Sequence, residues 1–257
     1  MTPPLIQIEN VWKEFGDQIV LERLSLSIAP RSFVALVGPS GCGKTTFLRM
    51  LLGEEAPTKG RILLDGKPLQ PEPGPDRGVV FQRYSVFPHL TVLGNVMLGL
   101  DLKGAPRIGR LFGARRRAAA DLARALIAEV GLAGDEGKYP AQLSGGMQQR
   151  LALAQALITR PRVLLLDEPF GALDPGIRAG MHELMQRLWH ETDLTVVMVT
   201  HDLSEAFTLA CRVLVFERLR DRAAEKHRYG AVLAQDMAVW PPRIAGQPTP
   251  PKRSQAA

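Results

Sequence analysis

The chain has little of what marks a special environment. Only two of its 257 residues are cysteines, Cys42 and Cys211. That is too few for a disulfide framework and fits a reducing compartment. No apolar run approaches the roughly 18 residues needed to cross a bilayer. The opening stretch MTPPLIQIEN has no basic segment followed by an apolar one, so no secretory leader is predicted. Internal repeats and heptad runs are absent too, which excludes solenoids and coiled coils. What remains is a chain 46% hydrophobic and 23% charged, able to bury a substantial core as one domain with an insertion or as two small ones.

The net charge of +6 is moderate and uneven. Much of it lies in RIGRLFGARRRAAADLAR, residues 107–124, and in the tail PKRSQAA. A basic balance raises nucleic acid or an anionic membrane surface as partners. However, Leu122, Leu126, Ile127 and Val130 give the segment after Arg117 an ordinary buried helical face. Its arginines then read as a solvated side.

The most informative stretch is FVALVGPSGCGKTTFLRMLLG, residues 33–53. Phe33–Val37 is predicted to be a buried strand. Phe47, Leu48, Leu51 and Leu52 share one face of a helix that Gly53 ends. Between them, Gly38, Gly41 and Gly43 let the backbone turn so that successive N–H groups converge. Gly38-x4-Gly43-Lys44-Thr45 is the spacing of a phosphate-binding loop. The backbone from Gly38 through Pro39, Ser40, Gly41, Cys42, Gly43, Lys44, Thr45 and Thr46 is predicted to hold the α- and β-phosphates of a nucleotide at a helix N-terminus, which alone leaves kinases, GTPases, motors and transport ATPases open. Lys44 is placed on the β- and γ-phosphates and the Thr45 hydroxyl on Mg²⁺. Cys42 reads as a small residue tolerated in the loop, with a reactive thiol as the alternative.

Around this loop, LIQIENV (5–11) and SLSI (25–28) alternate as half-buried strands do. RILLDGKPL (61–69) signals a hairpin turning at Asp65-Gly66. Gly78–Phe81 is a further strand candidate. Residues 84–158 read as mainly helical, with GAPRIGRLFG as a loop. VLLLDEP (163–169) and TVVMVTH (195–201) return to buried strands of parallel type. The helix between them carries Ile177, Met181, Leu184, Met185, Leu188 and Trp189 on one face. Alternation of strand and helix predicts an α/β core, with VLVF (213–216) as its last strand.

VLLLDEP sets two carboxylates at the C-terminal edge of a buried strand, where open α/β sheets bind ligands. Asp167 is predicted to hold Mg²⁺ and Glu168 to act as general base toward the attacking water. LSGGMQQR (143–150) then offers a second helix N-terminus suited to an anion. Ser144 is its N-cap, and Gly145 and Gly146 permit close backbone approach. Met147, Leu151, Ala154, Leu157 and Ile158 continue as a helical stripe.

With these residues in hand, the chain resembles the ATP-binding subunit of an ABC transporter, whose signature is LSGGQ-like. Met147 stands where glutamine is commonest. The resemblance covers roughly residues 5–217. It implies an α/β P-loop NTPase of ABC ATPase type, with a mixed-sheet core, a small antiparallel β subdomain and a helical subdomain. The implied domain is 1–217, its core 1–83 and 159–217, its helical subdomain 84–158. Residues 218–257 form an extension whose Pro-rich tail, 245–257, is predicted to lack fixed structure.

The resemblance also assigns roles. Gln82 matches the Q-loop that senses γ-phosphate and metal, and so joins Lys44, Glu168 and His201 in the catalytic set and Thr45 and Asp167 in the metal set. Asp174, in GALD, matches the D-loop, and His201 the switch histidine on the γ-phosphate. Phe15 falls where the family sets an aromatic under the adenine; a plain core residue is the alternative. The family pairs two copies head to tail, LSGG of one closing over ATP on the other. It works with integral-membrane permease subunits, and indirectly with a solute-binding protein, at the cytoplasmic face of the membrane. No nucleic-acid partner is expected. SVFPHLTVLGNV (85–96) is the implied docking surface, although Phe87 and Leu90 also suit a core.

FGALDPGIRAGMHELMQRLW and VMVTHDLSEAF look most like the nitrate/sulfonate/taurine importer ATPases. Two positions depart from that group: Cys211 replaces an aspartate and Gln155 an arginine. FERLRDRAAEKHRYGAVLAQDMAVWPP resembles a branch associated with urea- or guanidine-related metabolism. From other classes, a soluble ABC ATPase acting on nucleic acid lacks the expected long coiled-coil insertion, and a P-loop kinase leaves LSGG and His201 without a task.

Overall fold

A computed structural model describes residues 3–82, 86–104, 109–219 and 228–239. The expectations for the tail 245–257, and parts of those for 85–96 and for the GAPRIGRLFG loop, lie outside the described residues.

Two sheets organise the chain. The first is antiparallel, with β1 (Ile6–Phe15), β2 (Gln18–Ile28), β4 (Lys59–Leu64) and β5 (Lys67–Pro68) in the order β2-β1-β4-β5. The hairpin between β4 and β5 turns at Asp65 and Gly66, both at positive φ (55° and 73°). Asp and Gly are among the residues that enter this region most readily. The second sheet runs β10 (Val232–Ala238), β9 (Arg212–Glu217), β3 (Phe33–Val37), β8 (Thr195–Val199), β7 (Val163–Asp167) and β6 (Arg77–Val80). All neighbours in it are parallel except β10 against β9.

Alternation along the parallel strands divides the core in two. Phe33, Ala35, Val37, Leu164, Leu166, Val196 and Met198 face one side. Val34, Leu36, Val163, Leu165, Val197 and Val199 face the other. Strands buried on both faces are why these segments read as continuous apolar runs. The first side is covered by α2 (Val92–Gly104), α3 (Gly113–Glu129), α4 (Gly145–Leu157), α5 (Pro175–Glu191) and α6 (Leu203–Leu209). The second is covered by α1 (Lys44–Leu52) and the antiparallel sheet.

Three expectations need correction. Phe216 does not end the sheet: β10 follows, its Asp236 receiving Arg212 Nε and Nη2 at 2.7 and 2.6 Å. Ala231 also bonds the backbone of Val20 and Glu22, stitching the extension to β2. The strand VLAQDMA escaped notice because Gln235 and Asp236 break its apolar alternation. Leu122 is 49% exposed, not buried. The inward stripe of α3 is Ala119, Ala123 and Ile127, continuing to Val130, because alanines allow the close approach of α2 and α4. Ile177 is 38% exposed, lying over Gly146, where a Cβ would stand 2.4 Å from its Cγ2. Cys211 is buried, its thiol exchanging bonds with the Phe33 backbone N–H and C=O at 3.3 and 3.2 Å. Burial pushes that thiol above its ordinary pKa.

Candidate nucleotide-hydrolysis site

The loop between β3 and α1 shows why glycine is needed. Gly43, the N-cap of α1, sits at φ 91°, and a Cβ there would meet Leu21 and Val20 at 2.8 Å. At Gly38, φ 153°, a Cβ would fall 2.1 Å from the Phe216 carbonyl. The loop therefore curls tightly against both sheets. Lys44 is buried at its centre, Nζ donating to the carbonyls of Gly38 and Pro39 at 2.8 and 2.9 Å. Cys42 is buried, its Sγ 3.9 Å from the same ammonium.

The ends of the parallel strands complete the group. Thr45 Oγ1 donates to Asp167 Oδ1 at 3.2 Å, joining the first turn of α1 to the tip of β7. Desolvation is the main cause that raises the Asp167 pKa above its ordinary value; the Thr45 bond opposes it, and the Glu168 charge adds to it. A pair of hard oxygens of this kind, one on buried Asp167 and one on exposed Thr45, suits Mg²⁺, which takes few protein ligands and fills its shell with phosphate and water. Glu168 follows at φ 47°, a left-handed conformation uncommon for a non-glycine residue. Its amide N–H is held by the Val199 carbonyl at 2.9 Å. That turn separates the two adjacent carboxylates. Glu168 Oε2 lies 3.4 Å from Gln82 Nε2 and 3.2 Å from His201 Nδ1.

Six predicted residues thus come together: Lys44, Thr45, Gln82, Asp167, Glu168 and His201. Others stand apart. Ser144 caps α4, its Oγ accepting from Met147 N–H at 3.4 Å. Among the described residues, no hydrogen bond joins it, Gly145 or Gly146 to the phosphate loop. Gly146 has a packing reason of its own in Ile177. Asp174 is exposed at the N-cap of α5. Phe15 is 46% exposed at the end of β1, with Lys13 Nζ 4.6 Å from its ring centre. Sequence reasoning passed over His182, which bonds the buried Glu205 at 3.0 Å. Its signal in the sequence was the polar spacing Arg178, His182, Gln186 beside the apolar stripe of the same helix.

Fold and site together define an α/β P-loop ATPase. The chain matches the family model for the ABC transporter over residues 21–171, and it belongs to that family. An uncharacterized ABC transporter ATP-binding protein of Methanocaldococcus jannaschii is 43% identical over 86% of this chain and 80% of its own. The spermidine/putrescine import ATP-binding protein PotA of Rubrobacter xylanophilus is 46% identical over 85% of this chain and 56% of its own. The aliphatic sulfonates import ATP-binding protein SsuB 1 of Burkholderia cenocepacia is 45% identical over 84% and 62%. This chain thus spans less than two thirds of the latter two. A bacterial ABC transporter cassette solved as a dimer superposes with a TM-score of 0.73 at 29% identity, covering 91% of this chain and 98% of that one. Its dimeric post-hydrolysis state, bound to ADP and Pi, gives 0.71 with the same coverage. Among the described residues no helix is long and apolar enough to cross a membrane.

Proposed function

We propose that this chain is the ATP-hydrolysing subunit of an ABC importer, working as a head-to-tail homodimer on the cytoplasmic side of a permease. The observation that carries the reading is the convergence of Gln82 and His201 on one oxygen of Glu168, beside the Thr45–Asp167 pair. ATP enters with its phosphates on the 38–46 backbone, Lys44 exchanging its two carbonyl partners for β- and γ-oxygens. Thr45, Asp167 and Gln82 would hold Mg²⁺, which would supply positive charge beside the transferred phosphoryl group. Glu168 accepts a proton from the attacking water, and His201 steadies the γ-phosphate. Phe15 offers its exposed ring to the adenine.

Among the described residues of the single chain, no hydrogen bond joins the Ser144-capped helix terminus to its own phosphate loop. A second copy supplies that helix terminus, and the dimeric relative supports such an arrangement. Ser144, Gly145 and Gly146 then close over the γ-phosphate with the helix dipole behind them, and Asp174 lies at the seam. Residues 84–158 act as the helical subdomain. The segment 85–96, with Phe87 exposed, meets the permease, which receives solute from a binding protein. Motif wording in residues 170–207 and the sulfonate-importing relative support a nitrate/sulfonate/taurine-type solute.

The test is Glu168→Gln in the assembled transporter. Loss of turnover on the order of 10²–10⁴-fold is expected from removing a general base, with the ATP-bound dimer retained on sizing. Wild-type turnover should rise with a sulfonate-loaded binding protein and not with spermidine. Native turnover in the variant would overturn the chemistry; stimulation by spermidine alone would overturn the solute class.

A further inference from the structure

We propose that His182 is a positioning residue, the middle rung of a polar ladder that holds the Glu168 turn and the His201 turn in register. It rests on the reading of Glu168 and His201 as the hydrolytic pair and adds to it a residue that touches neither. Three side chains four residues apart on α5 face α6. Arg178 Nη1 lies 3.6 Å from Asp202 Oδ2, His182 Nε2 is 3.0 Å from Glu205 Oε1, and Gln186 Nε2 donates to the Thr208 carbonyl at 3.0 Å. A spacing of four keeps all three on one side of a helix, so α5 grips α6 along its whole length.

Both helices follow closely on the turns that carry the proposed hydrolytic pair. α5 starts at Asp174, and Arg178 also donates to the Leu173 carbonyl at 3.2 Å, inside GALD. α6 starts two residues after His201. There Asp202 caps it, Oδ1 accepting from the N–H groups of Ser204 and Glu205 at 2.8 and 3.2 Å. Fixing Glu205 therefore fixes the turn that carries the switch histidine.

His182 does this from a partly buried place. Its side chain is 17% exposed and that of Glu205 only 5%. A carboxylate oxygen accepts, so the contact is a hydrogen bond donated by Nε2, and it gives the buried acid a polar partner. The other side of the imidazole meets Phe170 edge to face, ring centres 5.1 Å apart. Phe170 follows Glu168 by two residues. One ring thus touches the turn of the general base and the helix of the switch histidine.

Three variants of the full chain separate this role from simple support. His182→Phe keeps the ring against Phe170 and removes the donor. Its kcat should fall on the order of 100-fold, the loss expected of an ångström-scale misplacement, while KM for ATP stays native because the phosphate loop is untouched. His182→Gln restores a donor at similar reach and should recover kcat to within a few-fold. If His182→Phe does not fold, His182→Phe/Glu205→Met replaces both partners by apolar groups, a change close to neutral for stability, and should show the same fall in kcat. Native turnover in whichever of these two folds, a defect confined to KM, or a glutamine variant as impaired as the phenylalanine one overturns the proposal. Glu168→Gln run in the same assay tells the two readings apart: if it turns over ATP at the native rate, the hydrolytic assignment itself has failed.

Discussion

Asp167 and Glu168 are neighbours in sequence, yet the fold gives them opposite surroundings. Glu168 occupies a left-handed conformation at φ 47°, and such strain persists only where surrounding contacts over-determine it. Here the Val199 carbonyl supplies one such contact. Asp167 is buried beside Thr45, and burial raises its pKa. A carboxyl group whose folded pKa exceeds its unfolded one costs no stability below the unfolded value. The cost grows as pH rises from there through the raised folded value, because ionisation is then easier in the unfolded chain. Asp167→Asn keeps an acceptor for Thr45 and cannot ionise. Its thermal midpoint at neutral pH should exceed the native one. The difference should shrink toward pH 3.5 in thermal scans. An equal or lower midpoint at pH 7 would contradict the desolvation account. The sequence revealed both carboxylates, because two acids after four apolar residues are plain to read. Their divergence was not legible, since it arises from one backbone dihedral and from neighbours far along the chain.

Among elements, β10 shows how far local pattern carries. Its strand pairs with β9 through Arg212 and Asp236, and that bidentate contact holds the Asp236 carboxyl below its ordinary pKa. A depressed carboxyl contributes stability above its unfolded pKa, lost as pH falls through the lower folded value. Asp236 is 40% exposed, so water screens the pair and Asp236→Asn should cost less than about 1 kcal/mol overall. The effect should instead be local. Amide hydrogen exchange across Val232–Ala238 should quicken while Phe33–Val37 stays protected, and uniform quickening would show that β10 is part of the global unit. The outward Leu122 has a related cause. Large apolar residues mark a helix face when packing is loose, but α3 lies close to α2 and α4, and small Ala119 and Ala123 occupy the contact.

At the scale of the molecule, two helix N-termini carry the proposed function, and within one chain they do not meet. Ser144→Arg puts a bulky cation at the proposed seam while leaving the phosphate loop intact. Nucleotide affinity of the monomer should remain within a few-fold of native, and ATP-dependent dimerisation should disappear in light scattering. Dimers that still form would remove the seam. By itself the sequence determined the phosphate loop, the buried strand tipped by two carboxylates, the Asp65-Gly66 turn and the capped LSGG helix. Each of these is specified by residues adjacent in the chain, through glycine conformation, side-chain period or capping chemistry. Only tertiary structure decided that Gln82 and His201 share one oxygen of Glu168, that Gly146 makes room for Ile177, that β10 joins the sheet, and that His182 ties α5 to α6. Those contacts join residues far apart in sequence, where geometry is set by the packing of whole elements rather than by any local pattern.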